Sequence, residues 1–156
     1  MDQSAIYIVA DFLHTLATII WIGGMTSNFL LIMPSAKKTL EPAQMGKFMS
    51  GLMKRFKWMV YATLLTLLAT GVYLDLIADE ALETDLMGSL MGVKHGIITV
   101  LVFLSLYSFE IFAPKVGKIA AQGPSPKLFS MQKKQMMIAM AAFVLALVVV
   151  FISVWR

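Results

Sequence analysis

Long apolar runs separated by short charged gaps organise this chain from end to end. A bilayer core takes about 20 apolar residues as a helix. Four stretches reach that length, over about 6–33, 56–77, 88–112 and 136–155. The first is expected to stop at Pro34 and the third before Pro114, because proline removes a helical donor and crowds the preceding turn. Within 43–55, Met45, Phe48, Met49, Leu52 and Met53 recur at helical spacing, while Lys47, Lys54 and Arg55 lie mostly off that stripe. This predicts a short amphipathic helix lying at the membrane interface. Gln122-Gly123-Pro124-Ser125-Pro126 reads as a loop, and no internal repeat is legible in the letters. The predicted fold is an all-α integral membrane protein. It is an antiparallel up-down-up-down bundle of four transmembrane helices, with the short interfacial helix between the first two, in a single membrane domain over 1–156.

Composition and charge sharpen this picture. Hydrophobic residues make up 59% of the chain and charged ones only 14%, against about a quarter charged in soluble domains. Lys37, Lys38, Lys47, Lys54, Arg55 and Lys57 lie between or beside the first two spans, against one acid, Glu41. Lys115, Lys118, Lys127, Lys133 and Lys134 lie between the last two spans. The remaining gap is acidic, with Asp75, Asp79, Glu80, Glu83 and Asp85. The positive-inside rule puts the basic loops in the cytoplasm and both termini outside. The net charge of +4 is therefore a matter of topology and membrane lipid, and no nucleic-acid partner is expected. Met1-Asp2-Gln3-Ser4 lacks the basic start of a cleaved signal peptide. The absence of cysteine excludes iron–sulfur clusters and thiolate metal sites.

The candidate chemistry rests on two histidines. His14 lies about 12 Å along the first span and His95 about 10 Å along the third, at about 1.5 Å per residue. An ionisable side chain inside a bilayer usually has a partner and a function. Both spans enter from the outer side in this topology, and the first and third helices of a sequential bundle are diagonal across its core. Two imidazoles at matching depth are expected to supply both axial ligands of one haem b.

His14 shares a stripe with Ala17, Thr18, Trp21, Met25 and Asn28, and Gly23-Gly24 allows close approach of a helix or a flat ligand. His95 shares its face with Ile98, Thr99, Val102 and Leu106. Asp11, one turn before His14, is a candidate acceptor for the ring's second N–H, or an interfacial group. Lys94 can pair with Asp11, hold a haem propionate, or snorkel outward. Thr63, Thr66, Thr70 and Tyr73 form a polar stripe expected to face the core. Glu110 is expected to pair with Arg55 or Lys57. With Met91 one turn before His95, the set His14, His95 and Met91 is an alternative site for Cu(I).

His14-Thr15-Leu16-Ala17-Thr18-Ile19-Ile20-Trp21-Ile22-Gly23-Gly24 resembles the first helix of the CopD-like membrane domain. Val93-Lys94-His95-Gly96-Ile97-Ile98-Thr99-Val100-Leu101 resembles the lysine-plus-aliphatic helix of that domain and of the related HemJ-type protoporphyrinogen oxidases. The resemblance spans the four-helix region on a handful of residues. It implies haem b with His14 and Lys94 as key residues, or copper uptake or resistance. The Pro-Arg-Leu that follows tryptophan and glycine in the HemJ pattern is missing here, where Trp21 is followed only later by Pro34-Ser35-Ala36.

Filled axial positions favour electron transfer over substrate chemistry at iron. The expected function is a membrane haem-b redox protein with His14 and His95 as ligands and Lys94, Asp11 and Trp21 around the cofactor. Its expected partners are lipid, a quinone or another redox partner, and a second copy in a homodimer. Copper handling and porphyrinogen oxidation are the alternatives.

Overall fold

The computed structural model describes residues 3–77, 85–120, 122, 123 and 125–154, with the side chains apart from those of 42, 43 and 85–91. Almost all of them are helical. Four helical runs, Gln3–Thr39, Gln44–Ile77, Gly92–Ala120 and Pro126–Val154, are long and apolar enough to cross a membrane. The acidic gap between the second and third spans lies mostly outside the described residues. The chain forms two compact units, Met1–Ala81 and Leu82–Arg156.

In the first unit, α1 (Gln3–Ser27) does not stop at Pro34. It passes into a π-helical turn, Asn28–Ile32, and then into α2 (Met33–Thr39). The backbone N–H of Met33 donates to the carbonyl of Asn28, one residue further back than in an α-helix. The widened turn makes room for the pyrrolidine ring, and Pro34 falls in the first turn of α2, where its missing N–H costs least. α3 follows as one helix over Pro42–Ile77.

Residues 43–55 are therefore the first turns of α3 and not a separate short helix. Good helix formers outnumber Gly46, Ser50 and Gly51 in that stretch, and the helix runs through it unbroken. Its predicted stripe persists in part: Met45, Met49, Leu52 and Met53 are half-buried, while Phe48 is exposed along with Lys47, Lys54 and Arg55. At about 1.5 Å per residue, the 36 residues of α3 reach about 54 Å, well beyond a hydrocarbon core of about 30 Å.

α1 packs on α3. Its buried residues Ala10, Ala17, Trp21 and Met25 recur at helical spacing, and those of α3 are Val60, Thr63, Leu64 and Thr70. A methyl group added to Gly24 would meet Met59 Cε at 2.5 Å and Phe56 Cε2 at 3.3 Å. Gly24 thus serves the approach of α3. Nothing lies within 4 Å of the corresponding point on Gly23.

The second unit repeats the plan. α4 (Asp85–Leu106) continues through a π-turn, Tyr107–Phe112, into α5 (Ala113–Ala120), so Pro114 does not end the helix either. Here Ala113 N–H donates to the carbonyl of Ser108. Of the loop expected over Gln122–Pro126, Gln122, Gly123 and Ser125 are non-helical, and Pro126 opens the next helix. Gln122 and Gly123 close α5 by donating to the carbonyls of Ile119 and Ala120, and Gly123 takes φ 98°, a conformation glycine adopts without strain. Ser125 Oγ then accepts from Leu128 N–H at 3.2 Å and caps α6 (Pro126–Val154). α6 packs on α4 and α5, and Phe112, Val116 and Leu128 gather a small core with Ile119, Met131 and Ile138. Large apolar side chains such as Leu65, Leu76, Phe103 and Val154 point outward, as they do on helices solvated by lipid.

Candidate functional site

His14 stands on the face of α1 that packs on α3, and its ring meets two residues of that helix. Nδ1 lies 2.8 Å from Thr70 Oγ1. The ring also rests against Gly71, where a Cβ would come within 3.4 Å of His14 Cε1. Glycine at 71 gives the imidazole its berth, and threonine at 70 fixes its angle.

The hydrogen-bond chain assigns the tautomer. A threonine hydroxyl has one hydrogen and two acceptor sites. Thr70 Oγ1 lies 2.6 Å from the carbonyl of Thr66, one turn back, and that contact takes the hydrogen. Oγ1 therefore accepts from His14, and the neutral ring carries its proton on Nδ1 and its lone pair on Nε2. This is how metal-ligating histidines are oriented: one ring nitrogen donates to an oxygen, which fixes the ring and raises the basicity of the other. The carbonyl of His14 accepts from Thr18 Oγ1 at 2.9 Å.

Asp11, the candidate acceptor or interfacial group, is exposed on α1, and His14 Nδ1 meets Thr70. Periodicity within one helix draws attention to Asp11; only the pairing of two helices brings in Thr70, 56 residues away. The threonine stripe was the available signal. Thr63 and Thr70 are buried as expected, and Thr63, Thr66 and Thr70 each donate to a carbonyl one turn back. Trp21, 7% exposed, lies two turns from His14 on the same face and packs in the α1–α3 contact. Two further turns on, Asn28 Oδ1 is buried with no hydrogen-bond partner among the described residues, at the first residue of the π-turn.

The other candidates belong to the second unit or lie outside it. His95 is exposed on α4, and its carbonyl accepts from Thr99 Oγ1 at 2.9 Å, the same local bond that His14 makes with Thr18. His14, by contrast, is half-buried. Lys94 is half-buried beside His95. The Met91 side chain lies outside the described residues, and so does that part of the copper alternative. Among the described residues no group of three or more His, Cys, Asp or Glu side chains is placed to hold a metal ion. A haem needs no such group, because the porphyrin supplies four nitrogens and the protein one or two axial ligands. Lys57, one expected partner of Glu110, holds its ammonium 5.5 Å from the centre of the Tyr61 ring, a cation–π distance.

Residues 16–125 match the model of a family described as a domain of unknown function, DUF4149. No curated protein matches the chain, and no solved structure does.

Proposed function

The chain is thus a member of the DUF4149 family, and from its own residues we propose that it is a membrane haem-b redox protein with His14 as an axial ligand through Nε2. The observation that carries this reading is the bond from His14 Nδ1 to Thr70 over Gly71. It orients a histidine inside an apolar span as ligating histidines are oriented. His95, exposed on α4, is the second ligand in this reading. Lys94, beside it, is placed for an anionic propionate. When bound, a six-coordinate haem b carries one electron and leaves no iron position for substrate. A quinone or a protein redox partner supplies or accepts that electron.

The four spans form an up-down-up-down antiparallel bundle in this reading, with both termini outside and the lysine-rich ends in the cytoplasm. The pairing of His14 with Thr70 and of Gly24 with Phe56 and Met59 supports opposite directions for α1 and α3. The interfacial role falls to the basic first turns of α3.

Absorption spectra of the detergent-purified protein, oxidised and then reduced with dithionite, test this proposal. Resolved α and β bands are expected from the wild type. His14→Gly is expected to lose them and to regain them with added imidazole, which a merely structural histidine would not do. An unaltered spectrum in His14→Gly, or no haem after haem-replete expression, overturns the reading.

A further inference from the structure

The two units carry the same design at a fixed interval of 80 positions, although their letters barely agree. Pro34 and Pro114 match, as do Phe29 and Phe109. The π-turn bonds match too: Met33 to Asn28 in one unit, Ala113 to Ser108 in the other. Buried residues keep the interval, with Trp21 against Leu101, Met25 against Ser105 and Ala36 against Val116. The shared element is a long apolar helix, a π-turn, a proline two residues later, and a short helix with two lysines. Those lysines are Lys37 and Lys38 on α2 and Lys115 and Lys118 on α5.

The short helices have the character of arms. Each buries one small or branched residue, Ala36 or Val116, while all four lysines are exposed. Neither arm contains an acid. From Gln3, about 25 residues precede the first joint, or about 38 Å of helix. That length exceeds a hydrocarbon core of about 30 Å, so the arm beyond it reaches the headgroup layer. A joint combining a π-turn and a proline is where a long helix bends.

We propose that the two π–proline joints turn their lysine-bearing arms onto the membrane surface, where Lys37, Lys38, Lys115 and Lys118 bind anionic lipid headgroups. Charge selects the partner, since basic residues beside a span are attracted to acidic lipid. The matched joint gives each arm the same task. This proposal is independent of haem binding.

The test is lipid titration of the full-length detergent-solubilised protein, read by native mass spectrometry, with phosphatidylglycerol against phosphatidylcholine. Phosphatidylglycerol is expected to bind more tightly, weakening by up to about fivefold for each lysine removed. Lys37→Gln/Lys38→Gln and Lys115→Gln/Lys118→Gln are expected to cost similar factors, and the fourfold variant to lose most of the preference. Arginine at the same positions should keep the preference, which separates charge from local structure. Pro34→Ala and Pro114→Ala keep every lysine and are expected to weaken phosphatidylglycerol binding by about the same factor as each other. Equal binding of the two lipids by the wild type overturns the proposal, and so does an undiminished preference in the fourfold glutamine variant. Displacement of the lipid by an equimolar soluble acidic peptide would reassign the surface to a protein partner.

Discussion

The first unit and the second share a frame and differ in what fills it. In the first, the face between α1 and α3 holds a histidine, a tryptophan, two buried threonines and a glycine berth. In the second, the inner residues are Leu101, Ser105 and Ala146, with a small aliphatic and aromatic core at the lysine-rich end. Buried Leu64 of α3 and buried Ala146 of α6 stand 82 positions apart. On that interval Ile152 stands where Thr70 stands, and Ser153 where Gly71 does. The frame is therefore not what makes a site. His14, with Thr70 and Gly71 facing it, separates the hairpin that holds an oriented imidazole from the packed hairpin beside it in sequence.

Paired substitutions can break or sharpen this contrast. The largest effect is expected at the matched buried positions. Trp21→Ala and Leu101→Ala should each cost about 3 kcal/mol, the usual penalty for a large truncation in a packed interior, in chemical or thermal unfolding in detergent. Similar losses would support a common frame, and a negligible loss at Leu101 would break it.

A smaller and one-sided effect is expected at the berth. Gly71→Val adds bulk beyond the Cβ that already touches His14, and should swing the ring off Thr70. Ser153→Val, on an exposed position, should do nothing comparable. The nitrogen chemical shifts of the imidazole read the difference directly, and an unmoved His14 signal in Gly71→Val would show that the ring does not depend on the berth.

The smallest effect is expected at the hydrogen bond itself. Thr70→Val keeps the shape and removes the acceptor, at a cost of about 1 kcal/mol, near the upper part of the range for bonds between membrane helices. Thr66→Val is the control, because its hydroxyl bonds only within its own helix in the structure described. Equal costs for the two variants would mean that the contact with His14 contributes nothing.

Much of the fold was readable from one dimension. Four apolar runs announce four long helices because lipid-compatible helices need uninterrupted apolar length. Pro34 and Pro114 were misleading for a local reason: proline breaks an α-helix, and no composition marks the π-turn that accommodates it. The repeat was hidden because it lives in burial and backbone bonding. Trp21 and Leu101 share a position and no chemistry. His14 itself was legible, as a rare ionisable group in an apolar run. Its partner was not, since Thr70 depends on the register of α1 against α3. The threonine stripe could suggest that register but not determine it.

Thr70 has a single hydroxyl hydrogen, and Thr66 takes it. His14 keeps its Nδ1 proton in either charge state, so acid and any electrophile compete for one atom, Nε2. A ligand held by that atom alone is expected to lose affinity by about one decade per pH unit on the acidic limb. A slope of two would mean that a second group titrates with the imidazole.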